Sequence, residues 1–206
     1  MSDPDVVVID YDAGNLRSVS KALELLGYVP NVTSDPRVVE RAQAIILPGV
    51  GPAGAMNTLH RMGLVGPLKE AVAKGVPFMG VCLGLQLLFD WSEEGDINCL
   101  GIIEGKTRLL QPRLKVPHMG WNQVKRVKDH PIFNGVSTES YFYFVHSYFP
   151  EPANPYDIIG ETEYGITFAS AIGRDNIVGV QFHPEKSGPD GLKLYDNFMK
   201  LMVLRR

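Results

Sequence analysis

Residues 80–84, GVCLG, set one of the chain's two cysteines between glycines at the end of an apolar run. A run of this kind that leads through a tight turn into a helical pattern makes a strand–turn–helix elbow displaying a nucleophile, here a thiol where serine is more familiar. Glycine at 80 and 84 answers a steric need, because the turn strains the nucleophile's backbone and neighbouring side chains would collide. A helix starting at Cys82 would favour thiolate through its positive end and leave the N–H of Leu83 free to receive an oxyanion. Taken alone, the stretch also suits a buried cysteine packed at a glycine-rich junction.

A thiolate nucleophile needs a partner that takes up and returns protons. Of five histidines, His183 stands in QFHPE, directly after a predicted strand over 177–182. Residues two apart in extended chain face the same way, and Pro184 keeps the segment out of a helix, so Glu185 is placed to orient the His183 ring. The order nucleophile, histidine, acid differs from serine-elbow hydrolases, where the acid precedes the histidine. A third stretch, LPGVG at 47–51, follows another predicted strand. Its turn either simply ends that strand or aims the backbone at Gly49 and Val50 toward the elbow as a second oxyanion donor, a contact whose loss typically costs about 3–4 kcal/mol.

Such residues need a rigid scaffold. Apolar runs at 6–9, 44–47 and 76–81 alternate with helical patterns over 16–26, 53–73 and 83–93. Uninterrupted apolar strands joined by helices predict an α/β fold: a three-layer, mostly parallel sheet with helices on both faces and ligands at the carboxyl ends of the strands. After Gly101 the texture becomes shorter and alternating, at 106–110, 121–127, 141–149, 166–172 and 177–182, which predicts an added antiparallel or mixed portion before a last helix over 191–203. No linker or repeat divides residues 1–206, so a single domain is expected.

Composition narrows the function. The net charge is -3, and the uncharged, largely apolar run between Lys74 and Asp90 is 15 residues with Pro77 inside it, short of the roughly 20 that cross a bilayer. With no basic leader at the start, a cytoplasmic protein without membrane association is expected. Cys82 and Cys99 lie 17 positions apart, a spacing that fits no zinc site, so free thiols, no metal and no cofactor are predicted. Bases cluster at 105–128, where Lys106, Arg108, Arg113, Lys115, Lys125, Arg126 and Lys128 occur with no acid. That stretch suits either an acidic or phosphorylated partner or a plain solvated face; the acidic balance elsewhere argues against nucleic acid.

The elbow, HPE and PGVG together resemble the class I, triad glutamine amidotransferases. More closely, DYDAGNLRSV at 10–19, CLGLQLLF, VPHMGWN at 116–122, YFVHSYF at 143–149 and QFHPEKSG at 181–188 are similar to those amidotransferases that serve imidazole glycerol phosphate synthesis, over nearly the whole chain. Asp12 departs from the glycine common there. The resemblance implies hydrolysis of glutamine through a Cys82 thioester, with His183 and Glu185 completing the triad and Leu83, Gly49 and Val50 forming the oxyanion site. It implies glutamine contacts from Gln86, Glu94, Ser147 and Tyr148. It also implies a heterodimer with a (β/α)8-barrel cyclase that receives the ammonia, faced by Asn15, His118, Trp121, Asn122, Tyr143 and Lys186, and low glutaminase activity of the chain alone. Read without it, Trp121 and Tyr143 are equally core aromatics and His118 a satisfied surface histidine. A thiol hydrolase of related fold and a catalytically silent binding partner are the competing readings.

Overall fold

Four-residue runs with no polar side chain have no face to offer water, so they pair in the middle of a sheet covered on both sides. The structure, a computed structural model, describes residues 5–111 and 115–204. Its strands are β1 (Val6–Ile9), β2 (Asn31–Thr33), β3 (Ala44–Leu47), β4 (Phe78–Val81), β5 (Trp91–Ser92), β6 (Ile97–Asn98), β7 (Gly105–Leu109), β8 (His118–Gln123), β9 (Lys125–Arg126), β10 (Tyr141–His146), β11 (Tyr148–Pro152), β12 (Ile158–Glu163), β13 (Thr167–Arg174) and β14 (Ile177–Val180). The helices are α1 (Leu16–Leu25), α2 (Pro36–Val39), α3 (Ala55–Arg61), α4 (Val65–Ala73), α5 (Leu83–Gln86) and α6 (Gly188–Asn197).

An eight-stranded sheet runs β2-β1-β3-β4-β14-β13-β12-β9. Its first five strands are mutually parallel and the rest antiparallel. Strand alternation divides the core: Val6, Val8, Ala44, Ile46, Met79 and Val81 face Val19 and Leu23 of α1 and Leu194 and Tyr195 of α6. Val7, Ile9, Ile45, Leu47 and Phe78 face the other way, onto Val39, Met56, Leu59 and Leu68 of α2, α3 and α4. Each Val, Leu, Ile, Met or Phe among them, fully removed from water, contributes roughly 1.5–3 kcal/mol. Two smaller sheets, β10-β8 and β11-β7-β5-β6, stand beside the large one.

Several boundaries differ from the sequence reading. The helix expected over 83–93 ends at Gln86, because the carbonyls of Leu87, Leu88 and Phe89 accept from the backbone N–H groups of Leu100, Ile102, Ile103 and Gly101 instead of from a next turn. The helical region 53–73 is two helices, α3 and α4. The run 121–127 breaks at Val124 between sheets, and 141–149 breaks at Ser147, so that β10 and β11 belong to different sheets. The last helix starts earlier than expected, at Gly188, and passes at Phe198 into a π-helical turn. Strands β2 and β12 had no counterpart in the sequence reading.

Two bases of the basic stretch pair with acids. Lys106 pairs with Glu151 and Arg108 with Glu93, Lys128 donates to the Tyr156 carbonyl, and Arg126 lies over the Phe133 ring; Arg113 lies outside the described residues. Among the described residues no helix is long and apolar enough to cross a membrane.

Candidate active site

β4 and β14 are parallel neighbours in register, Gly80 opposite Gly179 and Val81 opposite Val180. The residues that follow each strand therefore emerge side by side at the carboxyl edge of the sheet. After β4 comes Cys82, with φ 53 and ψ -107, a left-handed backbone that a side chain adopts only under strain. Gly84 makes the turn sterically possible: a Cβ there would stand 1.8 Å from the Leu47 carbonyl oxygen. Because α5 is a single turn, its dipole contributes little, and thiolate formation rests on the neighbouring base.

That base follows β14. His183 and Glu185 have side chains 1% and 0% exposed, and Glu185 Oε1 accepts from His183 Nδ1 at 2.8 Å. This leaves Nε2, which has no hydrogen-bond partner within normal distance, as the proton-carrying position for the thiol. Burial lowers the His183 pKa, but its interactions with Cys82 and Glu185 outweigh it and raise it to about 10. Burial likewise opposes ionisation of Glu185, yet the imidazole and the Asn15 amide hold its carboxyl below the ordinary value. Asn15 Nδ2 donates to Glu185 Oε1 at 2.9 Å, and the Tyr195 hydroxyl to Oε2 at 3.3 Å. Such a cluster can hold a thiolate beside an imidazolium and pass the proton on to a leaving group.

Cys82 opens into a cavity of about 280 Å³ lined by Val50, Gly51, Leu83, Gln86, Glu94, Pro117, Val145, His146, Ser147 and Tyr148. This lies at the small end of ligand pockets, where one amino acid fits. Gln86 and Glu94 line it together with the Ser147–Tyr148 corner. Gln86 Nε2 donates to the Tyr148 carbonyl at 2.9 Å, and Glu94 Oε2 accepts from the Ala53 N–H at 2.7 Å.

The oxyanion turn is present but turned away. The Gly49 carbonyl accepts from the Leu83 N–H at 3.3 Å, and the Val50 N–H donates to the Ala13 carbonyl at 3.3 Å. Both expected donors are thus occupied, and the second points out of the pocket. Tyr11 pins the turn from below, its buried hydroxyl donating to the Pro48 carbonyl at 2.7 Å.

Sequence reasoning gave no role to Gln181, whose Nε2 lies 3.6 Å from Cys82 Sγ, although its place two residues before His183 on the same strand face was a usable signal. Nor did it single out Val145 and His146, consecutive residues at the end of β10 that also line the pocket. Of the residues expected to face a partner, Trp121 is 56% exposed and meets the half-buried Tyr143 edge-on, with the exposed Lys186 above the Tyr143 ring. His118 does not belong on that surface: it is 3% exposed and stacked on Tyr164 and Phe144. Asn15 and Asn122 are half-buried, committed to Glu185 and to the Glu163 carbonyl respectively.

The family described as Glutamine amidotransferase class-I matches residues 7–202. The chain belongs to that family. Among its relatives, the amidotransferase is 47% identical over 200 residues to the imidazole glycerol phosphate synthase subunit HisH of Dehalococcoides mccartyi, covering 96% of this chain and 98% of that one. It is 50% identical over 201 residues to the subunit of the same name from Methanocaldococcus jannaschii, covering 95% and 98%. Among solved structures, a crystal structure of a glutamine amidotransferase shares the fold with a TM-score of 0.76 at 16% identity, covering 95% and 98% of the two chains.

Proposed function

We propose that this chain is the glutaminase subunit of an imidazole glycerol phosphate synthase, supplying ammonia to a (β/α)8-barrel cyclase with which it forms a heterodimer. The observation that carries the reading is the Cys82–His183–Glu185 cluster on adjacent parallel strands, opening on a cavity sized for one amino acid. Cys82 Sγ attacks the side-chain amide carbon of glutamine. His183, protonated at Nε2 by the thiol, gives that proton to the departing ammonia, then takes one from the water that hydrolyses the thioester. Glu185 holds the ring with Nδ1 donating to it, so that Nε2 faces the chemistry throughout.

Gln86, Glu94 and the Ser147–Tyr148 corner hold the substrate's amino-acid end. The oxyanion requires Leu83 N–H and a second donor, so the Gly49–Val50 peptide must turn over, releasing Leu83 from the Gly49 carbonyl and aiming the Val50 N–H inward. Docking of the cyclase drives that turn, which makes the free subunit a poor glutaminase. The exposed strip of Met119 and Trp121 on β8, with Tyr143 on β10 and Lys186, is the docking surface; Met119 and Trp121 stand opposite Val145 and Tyr143 on the open face of the ribbon.

Co-expression with the barrel cyclase and a mass balance for glutamate and ammonia tests the reading. Equimolar release is expected in the complex, with labelling of Cys82 by an electrophilic glutamine analogue and none in Cys82→Ala. Absence of glutamate release in the assembled, ligand-bound complex refutes it in favour of a thiol hydrolase with another substrate.

A further inference from the structure

Two buried histidines outside the triad touch, one of them, His146, lining the glutamine pocket. His118 Nδ1 and His146 Nε2 are 2.8 Å apart, facing each other across the β8–β10 pair at register-matched positions. Each contact around them fixes where the hydrogens are. The Tyr148 carbonyl, 2.8 Å from His146 Nδ1, can only accept, so Nδ1 of His146 carries the hydrogen and its Nε2 accepts. His118 Nδ1 must then donate, which leaves His118 Nε2 to accept from Asn122 Nδ2 at 3.2 Å. The Asn122 amide is oriented independently, since its Oδ1 accepts from the Gln123 N–H at 2.8 Å and its Nδ2 also donates to the Glu163 carbonyl at 3.0 Å.

The chain continues beyond Tyr148. The same carbonyl takes a second hydrogen bond from Gln86 Nε2, whose other hydrogen goes to Gln181 Oε1 at 3.0 Å. With its oxygen so used, Gln181 presents Nε2 to Cys82 Sγ at 3.6 Å. One proton assignment satisfies the whole series. A proton added to either imidazole would set two N–H groups, or an N–H and the Asn122 amide, against each other. Burial keeps both rings neutral, pushing His146 to about 3 against the opposing pull of the Tyr148 carbonyl, and His118 to about 4. Packing blocks rotation: His118 lies 4.0 Å from the Tyr164 ring and 4.9 Å from Phe144, both stacked, and His146 is 5.2 Å from Phe168.

We propose that His118 and His146 are positioning residues of the glutaminase site, two neutral Nδ1–H imidazoles whose fixed tautomers orient Gln86 and Gln181 so that an amide N–H is held on the Cys82 sulfur. The inference deepens the glutaminase reading and rests on it. Its molecular content is independent of the substrate: a donor at the sulfur stabilises thiolate whether or not glutamine binds.

Two readouts test it on the full-length chain. Long-range 1H–15N NMR at neutral pH should find both imidazoles neutral with the hydrogen on Nδ1, the minor tautomer of free histidine; a ring protonated, or bearing its hydrogen on Nε2, overturns the proposal. In the second, His118→Phe keeps the stacking but removes the donor, while His118→Asn keeps a donor near the Nδ1 position. His118→Phe should slow alkylation of Cys82 by iodoacetamide about tenfold, a loss on the scale of one hydrogen bond to a charged group. In the cyclase complex it should raise the KM for glutamine more than it lowers kcat, and His118→Asn should restore most of both. A folded His118→Phe chain with wild-type alkylation and KM overturns the proposal. If His118→Phe does not fold, the wild-type tautomers and the alkylation rate of His118→Asn, expected close to wild type, still decide. Normal tautomers and alkylation with no glutamine hydrolysis would instead refute the glutaminase reading.

Discussion

Cys82→Ala and Cys82→Gly both remove the thiol and differ only in a Cβ, which isolates the strain at the elbow. At an ordinary buried position glycine is the worse choice by about 0.5–1 kcal/mol, because it loses more backbone freedom on folding. At φ 53 and ψ -107 a residue with a Cβ carries a penalty on the order of 1–3 kcal/mol that glycine escapes. Setting these against each other, Cys82→Gly should be more stable than Cys82→Ala by roughly 0.5–2 kcal/mol, the reverse of the usual order. For a chain of this size that corresponds to a melting temperature about 1–8 °C higher. Urea and thermal denaturation of the two inactive variants, side by side, supply the test. If Cys82→Ala proves equal or superior, the nucleophile is not held in a strained backbone and the steric account of the glycines around it fails with it.

Gly84→Ala would put a Cβ against backbone, the Leu47 carbonyl 1.8 Å away, and no side chain can swing aside; a destabilisation of at least about 2 kcal/mol is expected by denaturant titration. Glu185→Gln removes the charge that helps raise His183 to about 10. The raised His183 contributes its full stability below about pH 6.5 and loses it as pH rises toward 10. The lowered Glu185 contributes above its ordinary value of about 4.3 and loses it as pH falls. The stability advantage of wild type over Glu185→Gln should therefore peak between about pH 5 and 6.5 and shrink on both sides, as urea melts across pH would report; a gap that widens toward pH 10 contradicts the pairing. Trp121→Ala, at a side chain 56% exposed, should change chain stability by no more than about 0.5 kcal/mol. It should weaken binding of the cyclase about 30-fold, as an aromatic anchor at an interface does, measured by calorimetry.

What the sequence made legible were features written in consecutive residues. The buried strands β1, β3, β4 and β14 are continuous apolar runs, and the GVCLG and QFHPE stretches carry the triad within a few positions of a strand end. What it hid depended on distant backbone. No residue type announces that the carbonyls at 87–89 are claimed by N–H groups at 100–103, so the helix after the elbow read too long. The orientation of the Gly49–Val50 peptide is equally silent, since either face of a peptide plane has the same side chains. His118 read as surface, by resemblance and by residue type alike; its burial follows from stacking on Tyr164, some 46 positions away. The departure at Asp12 does have a local explanation: its φ is 61, a conformation glycine takes freely and aspartate tolerates better than most residues.

The in-register pairing of β4 with β14 means that the nucleophile and its base are spaced by the sheet, about 4.8 Å from strand to strand, and not by the polypeptide that runs between them. That polypeptide makes an exposed turn at 137–139. A gene divided there would give two fragments, one ending in the cysteine half and the other carrying the histidine half, and their association through the parallel ladder would rebuild the reactive pair. Covalent continuity is incidental to this catalytic centre; what it requires is that two strands find the same edge of one sheet.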